Sequence, residues 1–134
     1  MSLLKFSFIP ISHDFGALIL RLWLGLSMLM LHGWEKFTGF AEKSASFPDP
    51  LGIGSALSLG LVTFAETACS ALLIVGFWTR FASLCLAIAM GVAFFKQHQS
   101  VLVGTGSGEL AFIYLAGYVS LFFSGGGKFA FEKE

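Results

Sequence analysis

Four stretches of the chain are apolar and carry few charges: residues 15–37, 54–78, 81–98 and 108–124. The polar positions gather between them. A membrane helix needs about 20 mostly apolar residues, and the four stretches are close to that length. The pattern predicts four transmembrane helices and no separate soluble domain, with residues 1–134 forming one unit. The fold class expected is all-α, an integral membrane four-helix bundle. Pro48 and Pro50 disfavour helix in the 38–53 connection. Thr79-Arg80 marks a tight junction, and Gly125-Gly126-Gly127 ends the fourth helix.

Composition agrees. Charged residues are 12% of the 134 and hydrophobic residues 56%, with a mean hydropathy of +0.83. A soluble domain usually carries about 25% charged residues. The 8 basic and 8 acidic residues cancel, which argues against a nucleic-acid partner, since phosphate binding needs clustered Lys and Arg. The first apolar run holds Arg21 and is followed by His32-Gly33-Trp34-Glu35-Lys36, not by a small-x-small cleavage site, so it reads as a retained helix. Lys5, Arg21, Arg80, Lys128 and Lys133 fall on one side, and Lys36, Lys43 and Lys96 on the other. The excess predicts both termini in the cytoplasm.

The two cysteines, Cys69 and Cys85, lie inside apolar runs and form neither a CxxC nor a Cys/His metal spacing. They read as small buried side chains. A disulfide between neighbouring helices is left open, without support from the spacing. No metal site is expected.

The few charges at membrane depth carry the most information, because each needs a partner or water. On the first helix, Arg21, Gly25, Met28, His32 and Glu35 share a face at spacings of 4, 3, 4 and 3. Counting about 1.5 Å per residue puts Arg21 and Glu66 at neighbouring depths. An Arg21–Glu66 ion pair is therefore expected, as a register-fixing contact or as part of a proton or ligand path. At the other end, His32 and Lys36, Gln97 and His98, and Glu109 collect from three helices. They predict an outer polar pocket of His32, Lys36, His98 and Glu109, roofed by the 38–53 connection. Each histidine is also readable as a hydrogen-bonded interface residue. Two histidines could in principle ligate a haem, but no attachment motif accompanies them.

These residues together resemble the DoxX family of small bacterial membrane proteins. The first helix reads Arg21-Leu22, Gly25, then His32-Gly33-Trp34-Glu35-Lys36-Phe37-Thr38-Gly39-Phe40. It is similar to the family's Arg-bearing helix ending in Gly-x-x-Lys-aromatic. Glu66 followed by Leu72 to Arg80 resembles the family's Glu…Gly-x-x-Thr-Arg segment. Ala93, His98, Glu109, Tyr114 and Leu115 match its third and fourth helices. The tail departs: Gly126 stands where proline is usual, and Ala130 where serine is usual.

The resemblance implies a four-helix bundle in the bacterial inner membrane. It also implies a link to quinone-dependent respiratory enzymes or oxidative-stress complexes. The expected function is a membrane subunit of a quinone-linked redox system, with a redox partner protein carrying the electrons, because the chain has no flavin, iron–sulfur or haem motif. A subunit is thus favoured over a stand-alone enzyme. A small-molecule carrier, for which a homodimer is expected, and a non-catalytic scaffold are the alternatives.

Overall fold

The structure is a computed structural model describing residues 2–133. Six helical segments follow one another: α1 (Ser2–Lys5), α2 (His13–Thr38), α3 (Phe40–Lys43), α4 (Ser55–Val75), α5 (Thr79–Gln97) and α6 (Glu109–Ser124). No strand occurs among the described residues. Helices α2, α4 and α5 are long and apolar enough to cross a membrane, and α6 is a shorter apolar helix packed along α5. Large apolar side chains cover the outside: Trp23, Ile88 and Phe123 are at least 60% exposed. Water would penalise such a surface heavily, whereas lipid tails match it. The chain is an integral membrane protein.

Three of the long helices are not uniform. Each passes through one π-helical turn: Leu29–Gly33 in α2, Ala65–Cys69 in α4 and Ala93–Gln97 in α5. A π turn inserts one extra residue and rotates the helix face beyond it. A period of 3.6 carried through the whole helix therefore misplaces the residues on the far side.

The ends follow local chemistry. The Ser12 hydroxyl accepts from the Phe15 amide and caps α2. Gly76 closes α4 in the left-handed region (φ +83°), which glycine adopts without cost. A Cβ there would also strike Ala130 and the Arg21 guanidinium. The 44–54 connection is tied by Asp49, whose carboxylate accepts from the Ile53 and Gly54 amides and from the Ser58 hydroxyl. The Gly54 amide, then Ser58, hold that carboxyl below the usual carboxylate range.

The connection carries more helix than its prolines suggest, because α3 precedes them. The residues before the first apolar stretch also begin with a short helix, α1. Helix α4 ends at Val75, three residues before the apolar run does, because the chain turns at Gly76.

The buried core runs along the bundle axis and includes Met28, Leu73, Leu86, Tyr118 and Leu121. Arg21 and Glu66 are also buried within the bundle.

Candidate functional site

The expected Arg21–Glu66 pair does not form. Lys36 takes Glu66 instead, its ammonium donating to the carboxylate at 2.8 Å. The two side chains are 15% and 4% exposed, so the pair is shielded from water.

The register between α2 and α4 explains the exchange. Gly25 packs against the Ser70 carbonyl and Ile74, and Gly33 against the Glu66 backbone. At Gly33 a Cβ would overlap the Glu66 carbonyl oxygen, so only glycine permits this approach. Glu66 is thus level with Gly33, and Lys36 lies about one turn beyond. In an α-helix every Cα–Cβ bond tilts toward the N-terminus. The Lys36 side chain therefore leans back to Glu66, and the Arg21 side chain leans away from it.

Arg21 is completely buried at the opposite end. Its Nη1 donates to the carbonyls of Leu73 (2.9 Å) and Ile74 (3.2 Å), and its Nε to that of Gly126 (3.1 Å). Leu73 and Ile74 belong to the last turn of α4, where carbonyls lack helical partners and the helix dipole favours a cation. The guanidinium caps α4 and holds the glycine turn after α6. The tail closes over it: the Phe131 amide donates to Val75 O, the Glu132 amide to Gly76 O, and the Lys128 amide to Asp14. The start of α2, the α4–α5 turn and the tail thereby meet at one end of the bundle.

The expected outer pocket is not assembled as a unit. Lys36 is turned inward. His98 donates from Nδ1 to the Gly106 carbonyl at 2.9 Å, within its own loop. Glu109 is exposed at the start of α6. His32 meets the ring of Tyr114 edge-on, at 6.1 Å between centroids. No hydrogen bond, ion pair or ring contact joins His32, His98 and Glu109 to one another among the described residues. Nor do those residues bring together three His, Cys, Asp or Glu that could hold a metal ion.

Two tyrosines extend the polar interior, Tyr114, known from the sequence only as a family match, and Tyr118, which no motif marks. Tyr114 and Tyr118 stack at 5.9 Å on α6, and the Tyr114 hydroxyl donates to Ser27 at 2.7 Å. Tyr118 is fully buried, within electrostatic range of Glu66, and its hydroxyl has no protein partner. They are the chain's only tyrosines and stand four apart on a mostly apolar helix. That spacing was the available signal for a buried polar stripe.

A cavity of about 340 Å³ lies elsewhere, between the 47–53 segment and helices α4 and α5. Ligand sites usually measure about 300–1,000 Å³ and are mostly apolar. Here Phe47, Leu51, Leu61, Ile88 and Val92 form much of the wall, with Ser58, Cys85 and Gln97 as the polar members. The proline-bearing connection does roof a space, but this apolar one and not the histidine mouth.

Comparison with known proteins agrees with this architecture. The DoxX family profile matches residues 16–99, which include α4, α5 and all but the first three residues of α2. A Haemophilus influenzae protein described as uncharacterized is 31% identical over 115 residues, covering 80% of this chain and 81% of its own. No solved structure matches. The family match spans more than half of the chain and includes Arg21, Gly33, Lys36 and Glu66: the chain belongs to the DoxX family.

Proposed function

We propose that this chain is a four-span subunit of a quinone-linked redox system in the bacterial inner membrane, with both termini cytoplasmic. The observation that carries the reading is the apolar cavity under the 47–53 segment. Its volume and lining suit a lipophilic ring compound of the quinone type, and Gln97 and Cys85 can donate to ring oxygens. A quinone bound there would supply two-electron chemistry. The chain's own residues shape the cavity and line it with mostly apolar side chains. Electrons reach the site through a redox partner protein.

Helix α6 is the fourth span in this reading. Its 16 residues rise about 24 Å, and the glycine turn with Phe129 and Phe131 extends the apolar length toward the interface. The meeting of the α2 start, the α4–α5 turn and the tail at one end supports a common side for both termini. The buried charges Arg21, Lys36 and Glu66 are held by backbone carbonyls or by one another. That supports a subunit over a carrier, whose charges need access to a solute path.

A scaffold is the second reading, favoured by one observation: the buried charges Arg21, Lys36 and Glu66 all tie helices together. The purified protein in mild detergent separates the two readings. A short-chain benzoquinone is expected to raise its Tm by several degrees, and extracted lipid should contain co-purified quinone. Absence of both results leaves the scaffold.

A further inference from the structure

Cys69 and Cys85 are the chain's two cysteines, and the fold puts them level. Each is eight positions from Phe77, which lies in the turn joining α4 to α5. In an antiparallel hairpin such positions stand at equal height. Ala65 and Ala89, each twelve positions from Phe77, stand level one turn farther on, and both line the cavity. Small side chains at successive levels let two membrane helices approach closely, as a disulfide requires.

The two thiols differ in access. Cys69 is sealed in the core, whereas Cys85 is half-buried and lines the cavity. The two are within interaction range of each other. Eight residues of helix put them about 12 Å from the turn, inside the hydrocarbon layer. Charged, water-borne thiols and oxidants do not enter there. A lipophilic two-electron carrier does.

We propose that Cys69 and Cys85 form a reversible dithiol–disulfide couple that exchanges electrons with a lipophilic quinone seated in the cavity beside Cys85. The inference rests on the cavity reading given above. In the oxidising direction both S–H bonds break and one S–S bond forms. The pair gives up two electrons and two protons, and these convert one quinone to one quinol. The reverse step consumes quinol and restores both thiols.

The test uses the full chain in lipid nanodiscs, reduced, freed of reductant and given decylubiquinone. Free thiols are counted by maleimide labelling after denaturation, with intact mass and Tm read alongside. Both thiols should disappear together, the mass should fall by two hydrogens, and one quinol should form per chain. Cys69→Ala and Cys85→Ala should each keep the remaining thiol and make no quinol; their Tm reports whether the fold is kept. The wild-type mass decides the question even if a variant does not fold. Two persisting thiols in a protein whose Tm rises with decylubiquinone overturn the couple but leave the cavity reading intact. Persisting thiols with no rise in Tm overturn both. A quinone adduct, a cross-linked dimer, or loss of the remaining thiol in a single-cysteine variant also overturns the couple.

Discussion

Glu66→Ala is expected to destabilise the protein by about 3–5 kcal/mol, the usual cost of leaving one member of a buried ion pair unpaired. The change strands the Lys36 ammonium between α2 and α4, where its partner lies 2.8 Å away in the intact protein. Lys36→Met should also destabilise, because it leaves the Glu66 carboxylate buried without its partner. The double replacement Lys36→Met with Glu66→Leu removes both charges and keeps the volume. It should return most of the lost stability, since apolar replacement of a whole buried pair is often neutral. Reversible unfolding in mixed micelles measures all three. Single-variant costs that simply add in the double variant would show that the two side chains do not interact.

The second large effect belongs to Arg21. Arg21→Met removes three hydrogen bonds from a charged donor, at Leu73, Ile74 and Gly126. Bonds to charged groups contribute roughly 1.5–3 kcal/mol each. The loss is partly offset because burying a guanidinium without a carboxylate is itself unfavourable. A net cost of about 2–4 kcal/mol is expected. The tail should respond first. The amides of Phe131 and Glu132, bonded to Val75 and Gly76, should exchange with solvent much faster. Arg21→Lys should fall between, because one ammonium cannot span carbonyls on α4 and on the glycine turn. Unchanged exchange at both amides in Arg21→Met would remove the guanidinium from its assigned role.

These two residues also show how far the sequence could be read. The apolar runs located the helices well, since composition and length decide what a bilayer accepts. The depth of each charge was not: counting from the ends of the apolar runs put Arg21 and Glu66 at neighbouring levels, whereas the close contact of Gly33 with the Glu66 backbone sets Glu66 near Lys36. The direction of each side chain was not used. Glu66 is level with Gly33, so Arg21 lies twelve residues of α2, about 18 Å, from it along the axis, and the tilt of the Cα–Cβ bonds turns Arg21 farther away toward the tail and Lys36 back toward Glu66. The π turns before Trp34 and within α4 around Glu66 break the 3.6-residue period, and no residue pattern announces them. This is why the stripe carrying His32 did not lead to His98 and Glu109. His32 ends on Tyr114, and His98 serves its own loop.

The tail is the other lesson. It departs from the family pattern at Gly126 and Ala130. In the structure both positions are crowded: a Cβ at Gly126 would press on Thr79 and Ala130. Gly126 supplies the carbonyl that Arg21 Nε holds. The roof over a pocket was legible from Pro48 and Pro50, but the space beneath it was not. Long-range packing of α4 on α5 creates that cavity, and local sequence does not encode it.

Photolabelling with an azido-benzoquinone in native membranes tests the central claim most directly. The account predicts that labelled peptides, mapped by mass spectrometry, come from 47–53 and from the faces of α4 and α5 that carry Leu61 and Ile88. Unlabelled quinone should compete the signal away. Competable labelling at His32, His98 or Glu109 instead, or no competable labelling at all, would contradict it.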